Sequence, residues 1–285
     1  MTSTNQARST EPSEAQQPQR ESATSWRKWR HIIEGERGGK LLSETLVQLA
    51  RIEPGDVVLD VAGGYGEPSL TAARAVGPEG RVVCNDIDFD MLAFGRERAS
   101  AAGIVNVEFV ECDIATLDVG ATSFDAVVSR MFLPDIADTL AKLHTFLKPG
   151  GRLAASGWGP MPSVQMVAAI PVVFEEISVP APPPDEPGVF PPADADRLAA
   201  LFAGAGFRDV ETGTITVVYE TGTPEEFTEF FWDLAPPMIT DLVNAQPPEV
   251  RQRVWERVTN VYRRFETAHG RVHTENQAIW VVGSR

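Results

Sequence analysis

The chain is poor in several things, and each shortage closes off a class of protein. Two cysteines in 285 residues, Cys84 and Cys112, cannot staple a small secreted fold. Both fall inside predicted strands, which reads as buried free thiols in a reducing cytoplasm. No apolar run approaches the roughly 18 residues that a membrane span needs. The N-terminus "MTSTNQARSTEPSEAQQPQRESATS" has no apolar stretch of the secretory kind. Together these point to a cytoplasmic protein with no membrane partner. Basic residues are scarce, 25 against 40 acidic ones, for a formal charge of −15. Phosphate backbones would be repelled, so no nucleic-acid partner is expected. The four histidines stand in no group with acids at ligand spacing, so no metal is expected. There is no internal repeat.

What is present is an ordinary globular composition, 43% apolar, long enough for one domain with a substantial cap. Residues 1–23 are rich in Ser, Thr, Gln, Glu and Pro and read as a disordered tail. The rest, 24–285, divides into N-terminal helices over 24–51, an α/β core over 52–158, and further strands with a helical cap over 159–285. Trp26, Trp29 and Ile33 form one stripe of a first helix, and Leu42, Leu46 and Leu49 one of a second, with Gly38-Gly39 between them. In the core, short apolar strands at 57–62, 81–86, 107–112, 124–130 and 151–158 alternate with helices near 68–76, 90–102 and 135–147. Such alternation predicts a doubly wound, mostly parallel sheet whose strand C-termini share one ligand-binding edge. The proline-rich stretch 179–192 can be neither helix nor central strand. After it come a helix at 194–205, a strand at 208–220, helices marked by Phe227, Phe230 and Phe231 and by Val250 through Phe265, and a closing strand from 277.

The stretch "VVLDVAGGYGEPSL" (57–70) breaks from a strand into glycines and then enters a helix. Glycine is costly unless the backbone must turn sharply or be approached closely. A strand, such a turn and a helix N-terminus offer free N–H groups to a ligand. The dinucleotide pattern G-x-G-x-x-G fails in both frames: Ser69 stands where a third glycine is needed from Gly64, and Glu67 where it is needed from Ala62.

The run Asp60-Val61-Ala62-Gly63-Gly64-Tyr65-Gly66 instead resembles motif I of the class I S-adenosylmethionine-dependent methyltransferases. Asp86, 22 residues after Gly64 at the end of the second strand, the "VEFVECDIATL" stretch with Asp113, then "FDAVVSRMFLPD" and "LKPGGRLAASGW" follow in that family's order. The nearest likeness is to the ubiquinone/menaquinone-biosynthesis branch and to bacterial natural-product methyltransferases, over roughly residues 26–285. The resemblance implies a Rossmann-like seven-stranded sheet with S-adenosylmethionine as cofactor. It implies cofactor contacts from Asp60, Ala62, Gly63, Gly64 and Gly66; from Asp86, with Ile87 and Met91 packing on the adenine; from Cys112, Asp113 and Ile114 at the adenine edge; and from Ser129 and Arg130 after the fourth strand.

The acceptor is expected to be a small aromatic or apolar molecule. An apolar wall of Trp26, Trp29, Phe132, Trp158, Phe230 and Trp232 would hold it. His31 is the candidate base. Because base candidates are few, carbon methylation of an electron-rich ring is favoured over methylation of a hydroxyl. A cofactor-binding protein that transfers no methyl group, or a cyclase on the same fold, is the alternative. Exchange of the N-terminal helices between subunits would give a homodimer.

Overall fold

The computed structural model describes residues 20–119, 122–131, 137–180 and 194–285. Five strands and their crossovers build the core: β1 (Val57–Val61), β2 (Arg81–Asp86), β3 (Val107–Glu111), β4 (Phe124–Ser129) and β5 (Leu147–Trp158). Helices α3 (Ser69–Val76), α4 (Phe89–Ala101) and α5 (Ala137–Phe146) connect them. The neighbours among these strands pair in parallel. Two further strands, β6 (Arg208–Glu220) and β7 (His273–Ser284), complete a seven-stranded sheet in the order β3-β2-β1-β4-β5-β7-β6. β7 runs antiparallel to both of its neighbours.

The two-residue period of β1 divides its side chains between the sheet faces. Leu59 and Val61 pack with Phe124, Leu140 and Phe202 on one side. Val58 packs with Leu46, Ala72 and Val76 on the other. The second face is covered by α3 and by α2 (Gly39–Leu49). The first receives α5 and α7 (Ala195–Gly204), which stops at Gly206, a C′ glycine with φ +97°.

A third apolar cluster lies beyond the strand ends. It joins α1 (Arg20–Ile33), α6 (Ile170–Glu176), α8 (Pro224–Leu234), α9 (Pro237–Asn244) and α10 (Pro248–Tyr262) to Val217 and Tyr219 of β6. No helix among the described residues is long and apolar enough to cross a membrane.

Several boundaries differ from expectation. α1 opens at Arg20 rather than at 24, because Ala23 already packs inside; the rest of the expected tail, 1–19, lies outside the described residues. So does most of the proline-rich connector, 181–193. β7 begins at His273 instead of 277: its polar first residues carry no strand pattern, yet they pair with β6, Val218 opposite Glu275 and Val217 opposite Asn276. α6 and α9 were not anticipated; each is under nine residues long, with a proline in its first turn. Cys84 is buried in β2, but Cys112 sits one residue past β3 and is half-buried.

Candidate functional site

A cavity of about 550 Å³ opens at the C-terminal ends of β1, β2, β4 and β5, under the helical cap. Its floor is main chain. Ala62 (φ +55°) and Gly64 (φ +50°) both adopt the left-handed conformation, and with Gly63 between them they line the cavity. The turn has no room behind it: a Cβ on Gly63 would stand 2.6 Å from Cys84 Sγ and 2.7 Å from Asp60 Oδ2. At Gly64 a Cβ meets nothing closer than Met91 Cε at 3.4 Å, so that position faces open space. Gly66 (φ +93°) turns away from the cavity and packs on Leu70 and Gly95.

Asp60 and Asp86 divide the support of this turn. Asp60 shares the α3 face of β1 and is fully buried. Its Oδ2 accepts the Ser69 N–H at 2.8 Å and the Ser69 hydroxyl at 2.6 Å, which answers one of the free donors of the α3 N-terminus. Oδ1 has no partner. Burial, only partly offset by Ser69, pushes this carboxyl up to about 7. Asp60 therefore braces the glycine turn from behind and does not line the cavity. Asp86 does line it. Its Oδ2 accepts the Gly64 N–H and its Oδ1 the Asp88 N–H, both at 2.9 Å. Burial raises its pKa, and these two hydrogen bonds work against the rise.

A buried triad closes the side of the cavity. Arg130, one residue past β4, donates to Glu34 Oε1 at 2.7 Å, to Ser43 Oγ at 3.0 Å and to the Gly39 carbonyl at 2.9 Å. The Tyr65 hydroxyl, in the glycine turn, donates to Glu34 and accepts from Arg130. Burial pushes Glu34 up, but the Arg130 charge and the hydrogen bonds from Arg130 and Tyr65 together outweigh it and hold the carboxyl below its usual range. Burial likewise opposes the Arg130 charge, and Glu34, Tyr65 and Glu67 together more than restore it. Glu34 and Tyr65 carry no sequence signal of this kind; only the meeting of α1, the turn and β4 shows it. Glu67, also at the cavity, is paired with Arg98 at 3.1 Å.

The remaining wall is apolar: Trp26, Met131, Trp158, Met166, Ile170, Val217, Tyr219, Phe230 and Phe231 among others. Of the expected acceptor residues, Trp26, Trp158 and Phe230 stand here. Trp29 does not; it is buried in the cap core with Nε1 donating to Asp233 at 2.8 Å. Trp232 points instead into a smaller cavity between α8, α9 and α10. Phe132 lies outside the described residues. His31 is exposed on α1, with Nδ1 3.2 Å from the Lys28 carbonyl, and reaches no part of the cavity. It is not placed to act as a base.

The adenine-side expectations divide in the same way. Met91 lines the cavity. Ile87 is 65% exposed beside it. Cys112, Asp113 and Ile114 follow β3 on the same edge but line none of the cavity, and Asp113 Oδ1 accepts the Ala115 N–H at 2.8 Å. Ser129 is buried and donates to the Val61 carbonyl at 2.9 Å, a strand-to-strand tie. Among the described residues no three His, Cys, Asp or Glu side chains come together as a metal site.

Residues 58–151 match the family model described as a methyltransferase domain. The ubiquinone/menaquinone biosynthesis C-methyltransferase of Teredinibacter turnerae is 37% identical over 118 residues, which is 40% of this chain and 47% of that protein. The chain thus spans about half the length of the curated relatives it matches. Among solved structures, a phosphoethanolamine N-methyltransferase of Haemonchus contortus in complex with S-adenosyl-L-methionine superposes with a TM-score of 0.55, at 16% identity, over 92% of this chain and 56% of that one. The [4+2]-cyclase SpnF superposes at 0.53, at 18% identity, over 85% and 79%. The family-model match lies in the strand-and-turn core, whereas likeness of fold covers 85% and 92% of the chain in these two structures. Residues 58–151 thus match a methyltransferase domain, and the seven-stranded sheet around them shares its fold with these solved structures.

Proposed function

We propose that the protein transfers a methyl group from S-adenosylmethionine to carbon on a small, apolar, ring-bearing acceptor. The observation that carries this reading is one continuous cavity with two unlike ends: main chain and Asp86 at one, aromatic and aliphatic side chains at the other.

The first end suits an adenosyl donor. The Asp86 carboxylate spends one lone pair of each oxygen on Gly64 and Asp88 and keeps two more, enough for the two hydroxyls of a ribose. Asp86 puts negative charge at the cavity, where Glu67 is already matched by Arg98 and Arg130 by Glu34. A phosphate-bearing dinucleotide would meet repulsion there; a sulfonium would not. When bound, the cofactor supplies an electrophilic methyl group whose departure leaves a neutral thioether. The work left to the chain is placement and exclusion of water. Trp26 and Tyr65, with ring centroids 5.0 Å apart, close the N-terminal helix over the turn. Trp158, Phe230 and Tyr219 hold the acceptor end.

Carbon as the methylated atom is supported by the state of the acids. Glu67 and Asp86 are the carboxylates at the cavity among the described residues, and both are engaged by the protein. A ring carbon of an electron-rich acceptor needs less base at bond formation than a hydroxyl does. The curated relatives named as C-methyltransferases agree with this. The test is incubation with methyl-labelled S-adenosylmethionine and a panel of phenols, indoles and quinols. Label on a ring carbon is the expected outcome. Label on oxygen would move the reading to O-methylation, and cofactor binding without transfer to any acceptor would favour a non-methylating protein on this fold.

A further inference from the structure

We propose that the Tyr219 hydroxyl is the docking point for the acceptor, and that the acceptor is an apolar ring compound carrying a hydrogen-bonding oxygen, a ring carbonyl or a phenolic group. This rests on the reading of the cavity as a methyl-transfer site and adds the substrate class to it.

The chain has three tyrosines, and all three are buried. A buried tyrosine hydroxyl normally finds a partner. Tyr262 donates to the Met166 carbonyl at 2.6 Å, and Tyr65 donates to Glu34. Tyr219 is 6% exposed, yet its hydroxyl has no hydrogen-bond partner among the described residues. Its oxygen is not sealed either: it is absent from the fully enclosed polar atoms left without partners, which are Asp60 Oδ1, Arg152 Nε and Trp232 Nε1. The strand period explains where the hydroxyl goes. Val217 and Tyr219 are two residues apart on β6 and both line the cavity, while Val218 between them donates its N–H to the Arg37 carbonyl at 2.8 Å. That bond ties the α1–α2 connection to β6 and fixes the strand against the N-terminal helices.

Two aromatic rings pack against the Tyr219 ring. Trp158 packs edge-on with centroids 6.2 Å apart, and Phe230 does the same at 5.6 Å. The Trp158 indole N–H, likewise without a hydrogen-bond partner among the described residues, stands on the same wall. An oxygen atom on the ligand has lone pairs for both donors. Burial raises the Tyr219 pKa, so the group stays protonated and donates rather than removing a proton. A wall built this way discriminates strongly, because a ligand that lacks the oxygen leaves a desolvated donor unanswered. The hydroxyl thus sets which ring compounds enter and how they lie, with the aromatic faces supplying the affinity.

The experiment compares the full chain with Tyr219→Phe, loaded with S-adenosylhomocysteine, using 1-naphthol and 1-methylnaphthalene as probes in fluorescence titrations. The expected result is about a tenfold loss of naphthol affinity in the variant, with methylnaphthalene affinity unchanged. The melting temperature should also stay the same, since the hydroxyl bonds none of the described residues. Equal effects on both probes, no effect on naphthol, failure of both probes to bind the wild type, or a clear fall in melting temperature would each overturn the proposal. A calorimetric titration with S-adenosylhomocysteine separates the two levels. If the wild type does not take it up, the methyl-transfer reading fails. The naphthol comparison, run without it, still decides the role of Tyr219.

Discussion

The two ends of the cavity are built by different means. The cofactor end is made of consecutive residues: a strand, three small residues in a tight turn, a helix start and an acid from the adjoining strand. The acceptor end is made of single side chains from α1, β5, α6, β6 and α8, from residue 26 to residue 231. In the first, the main chain makes the surface, so few residue types are tolerated. In the second, shape is a sum over many side chains, any of which can be exchanged for another of similar volume. The lesson is that the cofactor end is set by a short stretch of main chain and the acceptor end by side chains scattered over the sequence. The family-model match, residues 58–151, contains the turn and Asp86 but not Trp26, Trp158, Tyr219 or Phe230.

The comparison predicts where substitutions will hurt. The largest effect should come from Arg130→Met, because Arg130 joins the two ends. Removing it leaves the Glu34 carboxylate buried without its partner, a loss of roughly 3–5 kcal/mol. Urea denaturation would read this, and a loss below 1 kcal/mol would mean that the triad is not the joint between the halves.

Next come two neighbouring glycines with different consequences. Gly64→Val should lower affinity for S-adenosylhomocysteine by a factor of about a hundred or more, through a left-handed backbone and methyl groups in the cavity. Its left-handed backbone also costs stability, about 1–2 kcal/mol, as Gly63→Ala does by another route without filling the cavity. There the added methyl strikes Cys84 and Asp60, for a cost of roughly 1–3 kcal/mol. If both variants lose only binding, or both only stability, the front-and-back account of the turn is wrong.

Asp86→Ala should weaken cofactor binding by about 1.5–3 kcal/mol, the scale of hydrogen bonds to a charged group. It should leave the acceptor-end preferences alone. Affinity equal to wild type in calorimetry would remove Asp86 from the ribose.

A further effect is a pH dependence. The folded Asp60 pKa is raised from 3.8 to about 7. Between those values the folded state holds a proton that the unfolded chain has released, so stability falls as pH rises and levels off above the upper value. Asp60→Asn should flatten the fall in melting temperature between roughly pH 5 and 8. An unchanged slope would show that Asp60 is ionised when buried.

Much of the fold was legible because its signals are local. The boundaries of β2 and β6 follow from their apolar pattern, and Gly206 marks the end of α7. Within the site, legibility followed the same division. Ala62, Gly63, Gly64, Asp86 and Met91, which the family resemblance picks out at a turn, a strand end and the helix after it, line the cavity. Asp60 was found as well, but its place behind the turn was not, because strand period alone does not say which face receives which helix. On α1, Trp26 and Trp29 are one turn apart on the same stripe. Packing against Asp233 and Phe230 takes Trp29 into the core and leaves Trp26 at the cavity. His31 shared their neighbourhood in sequence and faces solvent.

The amino-acid sequence by itself determined the alternation of strands and helices and the conformation of residues 62–66, since glycine freedom and strand burial act over a few neighbouring residues. Tertiary structure alone decided the Glu34–Tyr65–Arg130 joint and left the Tyr219 hydroxyl without a partner among the described residues. Both depend on which groups from distant segments meet when water is excluded, and a hydrogen bond made or left open in that space has no trace in local pattern.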